Sequence, residues 1–325
     1  MNPMCKDNKC LFSSTQESIH GKFQTVTTEV REGKGLWEKC ETCQLVINRN
    51  GVPKKEVDSF YNSTYVEENS YTRGELLTAK EHFDARIDSL RPIASFLAPF
   101  LKPYFNIFEL GAATGELLYL MKDQVQSCSA NELNQLYGSF IVEHLGIPSS
   151  SEDYLQQEMP HKMDLILSVN TIDHLANPRL ALNKMNADLT NGGMLYIEVP
   201  NDNQALKTYL PAPQRKAFEA FMYQKAHYYS FSEETITRLL ENTGFSLIEA
   251  TSRHDYTIHN YLNWYYLGQP QKRIQSAMND TDIHYGDSSF ENEMNELFKR
   301  TNDAFKQIIS SNFAGETICV IARKT

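Results

Sequence analysis

No apolar run in this chain approaches the roughly 20 residues that cross a bilayer, and the opening MNPMCKDNKC has no apolar core of a secretion signal. These absences predict a cytoplasmic protein. Positive charge is also scarce. Lys and Arg number 31 against 41 Asp and Glu, a net charge of -10, and no basic stripe is present to neutralise a phosphate backbone. The expected partner is therefore a small molecule, with no nucleic acid and no membrane span. Internal repeats and low-complexity tracts are missing as well, so a solenoid or a disordered tail is not expected.

What is present is a chain of 325 residues, 41% hydrophobic, long enough for one large domain or two with a real core. Six cysteines in a reducing compartment read as thiols or metal ligands before disulfides. Four of them, Cys5, Cys10, Cys40 and Cys43, crowd near the N-terminus, while Cys128 and Cys319 sit alone in strand-like runs as small core residues. Helical spacing of Leu76, Leu77, Phe83, Ile87, Leu90, Ile93 and Phe96 predicts a helical lead-in that ends at Pro99 and Pro103.

Beyond it, strand-like runs at 106–110, 127–131, 164–170, 194–199, 246–251 and 317–323 alternate with helical segments at 116–122, 133–145, 179–189 and 233–242. That alternation predicts an α/β fold with a doubly wound, mostly parallel sheet covered on both faces. In SFSEETITRLLENTGF, Ser232 is placed as N-cap and Gly244 as the residue closing the helix. About 60 residues rich in Tyr, Trp, Asn and His, including a helix at 290–309, separate the last two strands. An insertion of that length usually covers a site or carries function. The predicted division is an N-terminal module (1–60), the lead-in (61–105), a ligand-binding core (106–252), and an insertion or cap with the final strand (253–325).

The informative turn is NIFELGAATGELLYL, an apolar strand, a turn with only Gly111 and Gly115, and a helix start. Backbone N–H groups exposed there suit an anionic or polar ligand. A dinucleotide site spaces glycines as GxGxxG, and a P-loop ends in lysine. Neither is met, because Ala113 holds the middle position.

An acid followed by this turn, Glu109-Leu110-Gly111-Ala112-Ala113-Thr114-Gly115, resembles the first motif of class I S-adenosylmethionine-dependent methyltransferases. Later stretches resemble the family in order. CSANEL ends in Glu132, which the resemblance assigns to two ribose hydroxyls. SSEDYL offers Glu152 or Asp153 to the adenine amino group. MDLILSVNTIDHLANP, which contains Asn170 and His174, is similar to the fourth-strand segment, and HYYSFSEETITRLLENTGF to the segment before and through a later helix. The resemblance covers about 106–251 and implies a Rossmann-like sheet of seven strands, with S-adenosylmethionine held by Glu109, Gly111, Ala112, Ala113, Gly115, Glu132, Asp153 and Asn170.

Cys5-x4-Cys10 and Cys40-x2-Cys43, with 29 residues between them, form two chelating pairs suited to tetrahedral zinc, closed by protein and therefore structural. WEKCETCQLV resembles the zinc-binding segment ahead of the catalytic domain in a group of sugar methyltransferases, with Gln44 in place of a glycine. That likeness implies a sugar, nucleotide sugar or glycan as acceptor. Transfer to a hydroxyl needs a base, for which His227, then His174, are the candidates, with Tyr229 nearby. Ala226 replaces a glutamate of the C-methylating relatives, which favours oxygen over carbon. The alternatives are a non-sugar acceptor, C-methylation of a keto sugar, and a binding protein without catalysis. His254, Asp255 and His259 are expected to roof the acceptor pocket, and Tyr65 and Tyr71 to fold over the cofactor.

Overall fold

The computed structural model describes residues 11–12, 22–51, 77–272, 277–278 and 285–325. Cys5, Cys10, Tyr65 and Tyr71 lie outside them. The chain opens with a hairpin, β1 (Phe23–Val30) and β2 (Gly33–Cys40), followed by the short β3 (Val46–Asn48). Between β2 and β3 lies the Cys40–Cys43 knuckle. Gln44 has φ +64° there, its N–H donates to the Cys40 carbonyl at 2.8 Å, and the Cys40 N–H donates to Leu45 at 3.0 Å. A left-handed residue is where glycine is ordinarily favoured, so Gln44 adopts the conformation that the replaced glycine would supply.

Helix α1 (Ala79–Leu97) starts at a Thr78/Glu81 capping box and runs through Pro92. The core then alternates: β4 (Asn106–Leu110), α2 (Glu116–Met121), β5 (Ser127–Asn131), α3 (Gln135–Phe140), β6 (Ser149–Ser150), β7 (Met163–Val169), α4 (Pro178–Asp188) and β8 (Leu189–Pro200). The single helix expected at 133–145 begins later, because the Asn134 side chain caps it by accepting the Tyr137 N–H, and it continues as a wider turn over Ile141–Leu145. Next come α5 (Ala205–Tyr209), α6 (Ala212–Met222), β9 (Tyr229–Ser230), α7 (Glu233–Glu241), β10 (Phe245–Arg253), α8 (Ile258–Leu267), α9 (Ser289–Ser311) and β11 (Thr317–Lys324). Ser232 caps α7 as predicted, and Gly244 follows it at φ +81°.

Seven strands form one sheet in the order β10-β11-β8-β7-β4-β5-β6. Strands β4 to β8 run parallel, and β11 is antiparallel to both β8 and β10. The central strands are buried almost throughout, as expected of strands covered on both faces. One face packs Leu90, Ile93 and Leu97 of α1; the other packs Leu182, Met185, Ile236 and Leu239 of α4 and α7. Strand order reverses where β4 lies between β5 and β7. A crevice opens there beyond the carboxyl ends of the strands.

The sequence boundaries cut across two of these units. The final strand lies inside the sheet, next to one edge and between β8 and β10, so it is not an appendage of the insertion. Conversely, β9, inside the predicted core, completes a second sheet of order β1-β2-β3-β9 with the N-terminal strands.

Candidate active site

The crevice is a cavity of about 1000 Å³ at the strand ends, room for a cofactor with a small acceptor. Its floor is the β4–α2 turn. Gly111 has φ +72° and Gly115 φ +83°. A side chain at Gly111 would meet Thr171 Oγ1 at 2.3 Å, and one at Gly115 would meet Leu145 at 2.8 Å. The bareness of this turn is thus set by its own conformation and by the protein behind it. Ala113 carries the strain the motif normally leaves to glycine: it sits at φ +48°.

Glu132 holds that unusual turn in place. One carboxylate oxygen accepts the Ala113 N–H at 2.8 Å and the other accepts the Asn134 N–H at 2.8 Å. Each oxygen keeps a lone pair for a further donor. Burial raises Glu132 to about 7, and these two backbone bonds act against the rise. Glu109 lies fully buried in the cavity floor with Oε2 unpartnered, and burial, then the charge of Glu116, push it well above the ordinary carboxylate range.

Residues that the sequence reading missed complete this end. His82 Nδ1 lies 2.9 Å from Thr114 Oγ1, which donates to Glu116 Oε1 at 2.7 Å. Arg86 Nε stands 4.0 Å from the same carboxylate oxygen. Burial opposes ionisation of Glu116, but His82 and Arg86 outweigh it and hold its carboxyl below the usual range. His82, Arg86 and Glu116 line the cavity, and Thr114 is buried behind them. Spacing on α1 places His82 and Arg86 on one face, an i, i+4 pair that was legible; what they face was not.

Ala112, Asp153 and Asn170 also line the cavity. Asp153 accepts its own Leu155 N–H at 3.1 Å, and Asn170, at φ +49°, donates its backbone N–H to Glu198. Glu152 is turned away, its carbonyl accepting from Asn131.

The catalytic candidates separate. His174 is in the cavity wall. His227 lies behind it, the two rings edge to face with centroids 4.4 Å apart, and is outside the lining. Burial, then the His174 and Arg31 charges, push His227 well below the ordinary imidazole range. Tyr229 is fully buried and its hydroxyl donates to the Ala176 carbonyl at 3.1 Å, so it does not reach the cavity. Within reach of both imidazoles sits Asp173, 0% exposed, with Oδ2 3.2 Å from His227 Nδ1 and 3.6 Å from His174 Nε2. Nothing in IDHL distinguished this acid from a solvated loop residue.

The expected roof is not over this cavity. His254 pairs with Glu316 at 2.5 Å, Asp255 with Arg253 at 2.9 Å, and His259 lies near Phe298. Trp264 packs edge-on to Phe218 at 5.1 Å, joining the insertion to α6. None of the described residues after β10 lines the cavity.

These residues fit S-adenosylmethionine: the buried, unpartnered Glu109 carboxyl would ionise against the cofactor's ammonium, and the two Glu132 oxygens would accept from the ribose hydroxyls. Bound there, the cofactor supplies an electrophilic methyl group.

A family model described as "Methyltransferase domain" matches residues 82–250, just over half of the chain. Among solved structures, magnesium protoporphyrin IX methyltransferase from Synechocystis PCC 6803 with bound SAH is similar at 12% identity and a TM-score of 0.50, covering 84% of this chain and 100% of its own. A SAM-dependent methyltransferase from Archaeoglobus fulgidus is similar at 16% identity and a TM-score of 0.49, covering 81% and 100%. No curated protein matches the chain. The chain belongs to the methyltransferase-domain family and is an S-adenosylmethionine-dependent enzyme of that family, built on a mostly parallel seven-stranded sheet.

Proposed function

We propose that this enzyme methylates a hydroxyl oxygen of a sugar, nucleotide sugar or glycan precursor. The observation that carries the reading is His174 in the cavity wall with a buried carboxylate, Asp173, 3.6 Å from its ring. A proton leaving an acceptor hydroxyl then has an imidazole to approach and a counter-charge behind it. Around His174 the wall mixes Asn170, Asn177 and Lys184 with Tyr154 and Tyr228, amides and rings that suit a polyhydroxylated ring. Glu109 and Glu132 would hold S-adenosylmethionine, which would supply the electrophilic methyl group, and the Asp173–His174–His227 cluster accepts the proton of the acceptor hydroxyl.

The test is release of S-adenosylhomocysteine against a panel of sugars, nucleotide sugars, phenols, amines and keto sugars, with the methylated atom identified by NMR. Turnover confined to phenols or amines would replace the sugar reading, and a new carbon–carbon bond would replace O-methylation.

A structural zinc on Cys5, Cys10, Cys40 and Cys43 is part of the same proposal. It is supported by the buried knuckle thiols and the left-handed Gln44 between its two backbone hydrogen bonds. Elemental analysis of protein never exposed to chelator checks it, and a zinc content far below one equivalent would overturn it.

A further inference from the structure

We infer that Asp173, His174 and His227 form a second metal site, for a borderline first-row divalent cation of the Zn2+ or Co2+ class. The ligand atoms of the three side chains all lie within 4.8 Å of one another. Donors about 2.0–2.2 Å from one ion at octahedral to tetrahedral angles are about 2.8–3.6 Å apart. The Asp173 Oδ2 distances of 3.2 Å to His227 and 3.6 Å to His174 fall within that span, and the two imidazole nitrogens, within 4.8 Å of each other, would close on an ion by ring rotation.

The second observation is the state of the carboxylate. Asp173 is 0% exposed, and neither oxygen has a hydrogen-bond partner. Its only ion-pairing partners among the described residues are the two imidazoles. A buried carboxylate with no donor is costly unless it is neutralised or coordinates a metal. Two imidazoles with one carboxylate are a donor set for zinc, cobalt or iron(II) and a poor one for Mg2+ or Ca2+, which select oxygen.

The backbone holds these ligands firmly. The Tyr228 N–H donates to the Asp173 carbonyl at 2.8 Å, and Asn48 Nδ2 donates to the His227 carbonyl at 2.8 Å. The three ligands are thus tied together through main chain as well as side chain. Because His174 is also in the cavity wall, an ion held here borders the acceptor. Its use in the reaction rests on the methyl-transfer reading; its binding does not. With its imidazoles taken up as ligands the cluster would no longer accept the proton itself: a metal-bound hydroxide would take it and leave as water as the acceptor oxygen binds the ion.

The experiment is titration of the metal-stripped full-length protein with Co2+, followed by visible absorption. Wild type is expected to show cobalt bands that persist in Cys40→Ser/Cys43→Ser without the thiolate charge-transfer band. Asp173→Asn and His227→Gln should each lose at least tenfold in affinity at that site while circular dichroism stays native. Should the double cysteine variant not fold, the same readout is available in wild type: one non-thiolate equivalent, absent from Asp173→Asn. Cobalt bound only through thiolates, or equally well by Asp173→Asn and His227→Gln, would show an Asp–His pair with no metal. Cofactor binding is measured separately by calorimetry. A missing metal with intact cofactor binding overturns this inference alone.

Discussion

The side-chain amide of Asn48, in the N-terminal sheet, donates to the main-chain carbonyl of His227 at 2.8 Å and also approaches those of Gln224 and Lys225. Its backbone N–H donates to Tyr228, and its Oδ1 accepts from Asn50. One fully buried amide therefore fixes the segment that presents His227. Removing it leaves several carbonyls without donors. Asn48→Ala is expected to cost about 2 kcal/mol in urea unfolding and to lower turnover more than cofactor affinity, since the turn at 109–115 is untouched. Calorimetry alongside steady-state rates checks this; equal turnover would mean the His227 segment supports itself.

Cofactor affinity is expected to depend on pH through Glu132. Its carboxyl is raised to about 7, and only the ionised form offers both oxygens to ribose hydroxyls. Affinity should rise as pH rises through that value and fall about tenfold for each further unit below it. Protons are released on binding under acidic conditions, which appears as a dependence of the calorimetric heat on the buffer. Glu132→Gln should bind weakly with this dependence flattened; an unchanged profile would place the ribose elsewhere.

Ala113→Gly is expected to stabilise the fold by up to about 1 kcal/mol, because relief of the left-handed strain exceeds the added chain entropy of glycine. Thermal unfolding reads the change. Any loss of stability would show that the Ala113 methyl makes compensating contacts.

Gly111→Ala combines the positive φ with a clash at Thr171 Oγ1, 2.3 Å from the added carbon. The expected cost is about 3 kcal/mol. Adding Thr171→Ala should recover the steric part, roughly half, and leave the backbone part. A double-mutant cycle measures the coupling, and strict additivity would refute the packing explanation for this glycine.

Legibility in the sequence followed the range of the interactions. Strand runs such as NIFEL and MDLILSV announced themselves because burial on both faces demands continuous apolar residues. Glu109 and Glu132 were marked by the resemblance of their segments to a family's motifs, and both line the cavity. The hairpin β1–β2 was not, since FQTVTTEV is largely polar and its register breaks at Thr27. Asp173 escaped for another reason. Its burial arises when a strand end, a short helical turn and the His227 segment meet from distant positions, and no local pattern encodes that meeting. Tyr229 was attractive by proximity to His227, but its neighbour Tyr228 is the one that lines the cavity, and adjacent residues of an extended chain point to opposite faces.

Strand β9 contributes two residues, yet Val46 and Ile47 pair with Ser230 and Tyr229 across it. By chain position it belongs to the methyltransferase core; by hydrogen bonding it belongs to the N-terminal sheet. The two regions are therefore not exchangeable parts. A foreign N-terminal segment grafted onto this core would have to match the pairing edge at 229–230, and any mismatch would be felt at Asp173 and His227 within a few residues. A change in either region is constrained by the other.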